Sequence, residues 1–566
     1  MQMRLLSLLL LAGACASDPP VDRPPEPPPL PATVVYLTPT QHLTRASMAL
    51  RGIRPSIEDL QAVDADPDQL PVIVDRYLES PQFLETIKEL HNETLLLRLE
   101  QGQFTFPDLG PLAGITASEL NASVFDEPLK LIEDVVANDR PYTEIVTADY
   151  TMANRTVATI WGLPHTLPDD QWERTQWPDG RGAAGVLATS SLYYRWRSTG
   201  FNYERGRANM ISRAFLCHDF LSSDIAVDTS IDLSNPDVVA DAVVANPSCA
   251  GCHQTLDPLA SYLFPYRNQI IANQIENEGG YPVTYFYPDR VNTWRRTNKR
   301  PPMFFGTEAQ GLTGLGQAIA SDPRFARCAA IRFASYFTEV AQGDLSAGWI
   351  ASLQEKFVAG GMNAKQLAKL IVLSDEFRVS HDTDLEGAQT LVGELKVRPE
   401  QLSRMLTNLT GFRWTTLSGA NLRGIPFGTA RLLEGDFVGF RVLAGGIDSY
   451  FVTEPVHTMN ATSSLVAKAA ASAAAQFVVD HDAAAAPADR TLFVKAAPTD
   501  TDEAKVRAEL AFLHARIYGE LVAPDSPEVD DTYQLFTDAL AESSTATRAW
   551  KIVLVGMLSD FRSLFY

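Results

Sequence analysis

Residues 70–91, LPVIVDRYLESPQFLETIKELH, decide the expected fold. Their apolar side chains recur at every third or fourth position, as on one face of an α-helix. Ser80-Pro81 lies between two such runs, where the serine ends one helix and caps the next. Ser56, followed by acidic residues, begins another helix in the same way. The pattern predicts a mainly α protein of several helical modules, with few or no long strands.

The composition is that of a globular protein. The 566 residues are 45% hydrophobic and 20% charged, which excludes a largely disordered chain. At roughly 100–200 residues per domain, this length indicates three or four compact units. The net charge of −22 argues against a nucleic-acid partner, because phosphate binding needs a basic face. The same charge is compatible with a basic redox partner.

The N-terminal segment predicts export. A weakly basic start, Met1 to Arg4, precedes an apolar run, Leu5 to Leu11, as in a secretory signal. Ala12-Gly13-Ala14-Cys15 then resembles a bacterial lipobox, in which cleavage before the cysteine leaves its thiol to carry lipid. Cys15 is therefore the expected lipidation site of an exported bacterial lipoprotein, held at the membrane by this anchor alone, in the periplasm or at the cell surface. Ordinary signal cleavage nearby, with loss of Cys15, is the alternative.

The pentapeptide Cys249-Ala250-Gly251-Cys252-His253 carries the expected chemistry. C-x-x-C-H is the attachment signature of c-type haem. The thiols of Cys249 and Cys252 would add to the two vinyl groups of the porphyrin, and His253 would be the proximal iron ligand. One covalent haem c is therefore the expected cofactor. A disulfide between the two cysteines, or half of a zinc site completed by Cys217 and His218, are the alternatives.

Two further cysteines, Cys217 and Cys328, remain after these assignments. In an exported protein they are expected to form a disulfide. That bond would join the segment before the haem motif to the segment after it. Two buried free thiols are the alternative.

The sixth iron ligand would distinguish an electron carrier from a catalyst. Met303, in Arg300-Pro301-Pro302-Met303-Phe304-Phe305, is the first candidate, because the prolines stiffen the loop and the aromatic rings can cover a haem edge. The weaker candidates are Met210, Met362 and His218. Arg267, Arg295 and Arg296 are candidates for pairing with haem propionates, although solvated surface charge is the simpler interpretation of each.

Composition changes along the chain predict its organisation. Residues 381–396 are polar and acidic, residues 462–479 form an Ala-rich helix, and residues 482–503 have the composition of an exposed loop. The expected parts are a signal peptide (1–15), a Pro-rich tether (16–33), an N-terminal helical module (34–200), a haem-motif module (201–320), a helical module (321–380), a linker (381–396) and a C-terminal helical module (397–566).

Several stretches together resemble the planctomycete-type cytochrome C surface proteins, which are exported multi-module proteins also common in myxobacteria. The phrase NDRPYTEIVTADYTMANRTVATIWGLP at 138–164 is similar to one that recurs in that family. RGRANMISRAFLC at 205–217 and CAGCHQTLDPL at 249–259 look like its haem-motif module. Residues 43–83 and 322–337 resemble its helical modules.

The resemblance implies a haem-binding role for Cys249, Cys252 and His253. Cys217 and Cys328 also lie where such proteins often have cysteines. The chain departs from the family at Ala260, where glycine is usual. The family implies no substrate, so the resemblance supports haem and location without an enzymatic activity.

Three functions are compatible with these features. The first is single-haem electron transfer at the cell envelope, with a redox partner protein of unknown identity. The second is a structural or interaction lipoprotein whose haem motif is not catalytic. The third is a haem enzyme with an open iron site, for which His218 would be the candidate acid or base. The sequence favours an electron carrier over a catalyst.

Overall fold

The computed structural model describes most of the chain after residue 29. The described residues are 30–99, 110–198, 202–222, 228–232, 234–268, 281–384, 391–416, 421–422, 425–426, 429–435 and 438–566. The predicted signal peptide, with Cys15, and residues 16–29 of the predicted tether lie outside them.

The described residues contain 22 α-helices and eight short strands, which confirms the predicted mainly α fold. The helices are α1 (Pro39–Arg51), α2 (Ile57–Ala65), α3 (Leu70–Leu78), α4 (Pro81–Leu95), α5 (Ala117–Ala137), α6 (Arg155–Trp161), α7 (Ser190–Arg195), α8 (Arg205–Leu216), α9 (Pro236–Ala245), α10 (Pro247–Ser261), α11 (Trp294–Thr297), α12 (Gly311–Ser321), α13 (Pro323–Thr338), α14 (Ala347–Ala359), α15 (Ala364–Val372), α16 (Pro399–Thr410), α17 (Phe440–Leu443), α18 (Ala461–Ala484), α19 (Glu503–Leu513), α20 (Pro527–Ser543), α21 (Ala546–Ser559) and α22 (Phe561–Leu564).

The strands form four antiparallel pairs, β1 with β6, β2 with β3, β4 with β5 and β7 with β8. They are β1 (Val34–Tyr36), β2 (Thr151–Ala153), β3 (Glu173–Thr175), β4 (Tyr266–Asn268), β5 (Thr284–Phe286), β6 (Val379–Asp382), β7 (Asn421–Leu422) and β8 (Ile425–Pro426).

The stretch at 70–91 folds as its pattern predicts, into α3 and the greater part of α4. Ser80 caps α4, where its hydroxyl accepts a hydrogen bond from the Phe83 amide at 3.3 Å. The apolar face of α4 is buried through Phe83, Ile87 and Leu90. His91 lies on the same face and its Nε2 is 2.7 Å from the Tyr142 hydroxyl, so it belongs to the core.

Two hydrophobic clusters organise the described residues. The N-terminal cluster extends from Leu43 to Phe377 and is closed by the pairing of β1 with β6. The C-terminal cluster extends from Val397 to Leu564. The expected linker at 381–396 begins in β6, and its Leu395 exchanges two backbone hydrogen bonds with Tyr566. These pairings bring distant parts of the chain side by side.

The C-terminal cluster is formed around the Ala-rich helix α18, which packs against α21. Its small buried side chains let the two helices approach closely. The expectation of an exposed loop at 482–503 is wrong in its central part. The buried Asp482 carboxylate accepts hydrogen bonds from the amides of Leu492 and Phe493, and the Phe493 ring packs against Trp550 at 5.1 Å. A polar side chain thus holds a buried turn that composition alone presents as exposed.

The two clusters are joined by buried polar contacts near α1. The guanidinium of Arg54 donates to the carbonyl oxygens of Arg562 and Ser563 at 2.8 and 2.9 Å. Gln401 donates from Nε2 to the Met48 carbonyl at 3.1 Å. Met48 itself packs in the C-terminal cluster, although α1 otherwise belongs to the N-terminal one.

Candidate haem-attachment site

The C-x-x-C-H motif lies in the first two turns of α10. Asn246 caps this helix by accepting a hydrogen bond from the Ser248 amide at 2.9 Å. Positions separated by three and four residues share one helix face, so Cys249, Cys252 and His253 lie together on one side of α10. The helix therefore presents two thiols and an imidazole on one surface.

Burial changes sharply along α10. Cys249, Cys252 and His253 are half-buried, whereas residues 256–261 are all buried. Leu259 is fully enclosed in the N-terminal cluster. The second half of the helix is thus anchored in the core, while the motif remains accessible to a large planar group.

A buried carboxylate orients the imidazole. His253 Nδ1 lies 2.9 Å from Asp257 Oδ1, one turn further along α10. The Asp257 side chain is fully buried and accepts two hydrogen bonds from the Arg205 guanidinium, at 2.6 and 3.0 Å. Burial raises the pKa of Asp257, but the hydrogen bonds from His253 and Arg205 outweigh it and hold that pKa below its usual value. Because Nδ1 is engaged, Nε2 is the nitrogen left for a ligand.

The loop that carries Met303 packs against the same helix. Asn298 donates from Nδ2 to the Asp257 carbonyl at 2.6 Å, and Ser261 donates to the Arg300 carbonyl at 2.9 Å. The half-buried Met303 follows, with its amide 3.4 Å from the Pro258 carbonyl oxygen. The structure therefore brings the first sixth-ligand candidate to the motif-bearing helix.

The other sixth-ligand candidates occupy different surroundings. Met210 is buried in the N-terminal cluster. Met362 lies beyond the end of α14, where its carbonyl accepts a hydrogen bond from the Tyr142 amide at 2.8 Å. The His218 ring lies edge-on to Phe220 and Phe305, with centroid distances of 4.7 and 5.7 Å. His218 therefore lies beside the loop that carries Met303, whereas Met210 is a core residue.

The cysteines divide into a bonded pair and a free pair. Cys217 and Cys328 form a disulfide, which joins the end of α8 to α13. Cys249 and Cys252 carry free thiols. The disulfide removes Cys217 from the alternative zinc site, since a bonded sulfur supplies no thiolate. No group of three or more His, Cys, Asp or Glu side chains suited to a metal ion occurs in the described part of the chain.

The three arginines considered for propionates are exposed. Arg267 lies on β4, and Arg295 and Arg296 lie on α11. The Arg295 guanidinium is 5.6 Å from the centre of the Trp294 ring. These positions fit the simpler interpretation of surface charge.

Two residues that hold the His253 imidazole are not singled out by the sequence. Asp257 and Arg205 stand only within the phrases at 249–259 and 205–217 that resemble the family. The four-residue spacing from His253 to Asp257 on a helix was an available signal, because such pairs face each other. The Arg205 contact joins residues far apart in sequence and has no local pattern.

Comparisons with known proteins cover a limited part of the chain. No curated protein and no solved structure matches it. Among the described helices, none is long and apolar enough to cross a membrane. Residues 37–163, which include α1 to α6 and end before the C-x-x-C-H motif, match the family model described as PSD4, a protein of unknown function (DUF1592). This part of the chain therefore carries a domain similar to one found in multi-module proteins of unknown function.

Proposed function

We propose that this protein is an exported, envelope-anchored c-type cytochrome that transfers electrons through a single haem. The observation that carries the proposal is the motif face of α10, with two free thiols and an imidazole held by a buried carboxylate. That arrangement supplies both covalent attachment points and one iron ligand from the same helix. The resemblance around residues 205–259 supports the same assignment.

The residues present fit a covalently attached haem. When bound, the group supplies an iron that cycles between two oxidation states. Cys249 and Cys252 lie one turn apart on an accessible surface, as attachment to two vinyl groups requires. His253 offers Nε2, and Met303 is the proposed sixth ligand because its loop is fastened to α10.

Asp257 acts as a positioning residue for His253. Its carboxylate keeps a proton on Nδ1 and fixes the ring orientation. A carboxylate acceptor also makes the imidazole a stronger electron donor, which favours the more positive iron state. Arg205 holds that carboxylate in place. We therefore expect a lower reduction potential than with a neutral acceptor.

The location is proposed from the N-terminal segment. Cys15 would carry lipid, and the Pro-rich residues after it would separate the folded body from the membrane. A disulfide between Cys217 and Cys328 fits an oxidising compartment. The partner is a second redox protein, and the net charge of −22 would attract one with a basic surface.

The test is expression with cytochrome c maturation machinery, followed by reduced and oxidised visible spectra. We expect a covalent c-type spectrum in the wild type, its loss in Cys252→Ser, and its retention in the matched control Ala250→Ser. Failure of carbon monoxide to bind the reduced wild-type protein would support an electron carrier. In that case, carbon monoxide should bind the reduced Met303→Ala variant.

Two outcomes would contradict the proposal. A colourless wild-type protein, despite working maturation, would favour the structural lipoprotein. Immediate carbon monoxide binding by the wild type would indicate an open iron and a haem enzyme.

A further inference from the structure

A cavity of about 600 Å³ lies where the N-terminal cluster meets residues 453–457. Its other walls come from α4, the end of α8 and the last two turns of α13. Small-molecule sites have volumes of roughly 300–1,000 Å³ and often lie between structural units. Because charged side chains form much of the lining, a polar occupant is expected.

Two arginines line this cavity without a carboxylate partner. Arg213 comes from the last turn of α8 and Arg332 from α13. Within the described ranges, neither guanidinium forms an ion pair. Asp219 also lines the cavity, but its Oδ1 accepts hydrogen bonds from Asn209 and from the Leu221 amide at 2.9 and 2.8 Å. The charge of Arg213 nevertheless contributes to lowering the pKa of Asp219, so Asp219 partly balances Arg213, whereas no carboxylate of the described residues acts on Arg332 in this way.

Arg332 is held close to Arg213 in a partly dehydrated position. Its Nη2 donates to the Arg213 carbonyl at 2.9 Å, while its Nε is buried and has no hydrogen-bond partner among the described residues. Burial and the charge of Arg213 lower the pKa of Arg332 to about 10. A carboxylate bound here would lie against both arginines and neutralise their charge.

The acceptor side of the cavity is formed by Glu339, the residue that follows the last turn of α13. Glu339 Oε2 accepts from the Lys396 amide and lies near His457 Nδ1, both at 3.2 Å. Glu339 Oε1 is buried and has no hydrogen-bond partner among the described residues, although Arg398 Nε is 3.5 Å away. The buried Tyr336 hydroxyl, between the two ends, is also without a partner there. Buried polar atoms of this kind are costly unless a ligand or water satisfies them.

We propose that this cavity binds a small zwitterion, with its carboxylate at Arg213 and Arg332 and its ammonium group at Glu339. The seven-residue separation of Arg332 and Glu339 corresponds to roughly 10 Å along α13. An extended tripeptide spans about the same distance at roughly 3.3–3.6 Å per residue. The ligand class is therefore a short peptide or an amino acid of similar length. A simple anion would leave Glu339 Oε1 unsatisfied and be repelled by its charge.

The test is isothermal titration calorimetry of the purified full-length protein with triglycine. N-acetyl-triglycine lacks the ammonium group, and triglycine amide lacks the carboxylate. Comparing the two capped peptides therefore tests each end of the site separately. We expect triglycine to bind and each capped form to bind roughly tenfold more weakly or worse, because hydrogen bonds to charged groups are the stronger class.

Variants assign the ends to residues. Arg332→Gln should weaken triglycine binding roughly tenfold but leave the affinity for triglycine amide unchanged. Glu339→Gln should also weaken triglycine binding roughly tenfold but leave the affinity for N-acetyl-triglycine unchanged. Arg155→Gln is the matched control, because Arg155 is exposed and forms its ion pair with the exposed Asp169.

If titration with triglycine at millimolar concentration gives no binding heat, the proposal is overturned and water is the occupant of the cavity. Equal binding of triglycine and its acetylated form would overturn the zwitterion assignment in favour of a simple anion. If either variant fails to fold, titrations of the wild-type protein with the three ligands still test the proposal. The result does not depend on haem, so it can fail while the cytochrome proposal stands.

Discussion

Beside the N-terminal cluster lie a disulfide and an ion pair between the buried Asp257 and the half-buried Arg205, whereas the C-terminal cluster is formed around alanines of α18, which packs on α21. In the first, charged groups and a covalent bond hold in position α10, the helix of the proposed attachment site, and its neighbours. In the second, the chain after residue 328 contains no cysteine, and close contact of small side chains provides the core. The difference teaches that, within one helical chain, a covalent bond and an ion pair can fix the region of the proposed site, while packing of small side chains dominates another region.

The largest effect should come from removing the covalent bond. Replacing both Cys217 and Cys328 with serine frees a loop with a sequence separation of 111 residues. Loss of this constraint should lower the free energy of unfolding by roughly 3–5 kcal/mol. Urea denaturation measures the change, and hydrogen exchange locates it. Protection should fall in α8 and α13 and remain in α18 and α21. Equal loss in both clusters would show that the disulfide does not act regionally.

A smaller effect should come from crowding the C-terminal cluster. Ala474 of α18 is fully buried in the C-terminal cluster, so Ala474→Leu overfills the packing around this helix. We expect a cost of about 1–3 kcal/mol in the free energy of unfolding. The matched control is Ala469→Leu, on the exposed side of the same helix. Equal stability of the two variants would contradict close packing as the basis of this cluster.

The smallest effect concerns the polar pair of the N-terminal cluster. Asp257→Asn keeps the shape of the side chain and removes its charge, so the His253 imidazole becomes a weaker electron donor. The reduction potential of the haem-loaded protein should rise by roughly 59 mV, which corresponds to about 1.4 kcal/mol for one electron. Asp257→Glu keeps the negative charge, so its reduction potential should lie between those of the wild type and Asp257→Asn. The exposed Asp237→Asn serves as a control in redox titration. An unchanged potential would limit Asp257 to a structural role.

Local patterns predicted more of the fold than tertiary contacts did. The boundary between α3 and α4 could be read from Ser80 and Pro81, because helix capping involves near neighbours. The proposed attachment motif is equally local, since its members lie within five positions. The contact of Arg205 with Asp257 could not, because only the packing of α8 on α10 brings these residues together.

The polar stretch at 482–503 shows a different limit. Its composition predicted exposure, but the Asp482 carboxylate satisfies the amides of a buried turn. An acidic residue that caps backbone groups has the same sequence signature as one that faces water. The distinction depends on Phe493 finding a place beside Trp550, which no local pattern reveals.

The contacts of Arg54 set an order of events for folding. Its guanidinium is buried, and the carbonyl groups that satisfy it belong to residues 562 and 563. A chain that emerges from a membrane channel N-terminus first would expose α1 and α2 early, yet their last polar partners arrive only after some 500 further residues. Closure of β1 on β6 likewise waits for residue 379. Under the proposed export, final assembly is expected to follow translocation, with a slow, non-local last step.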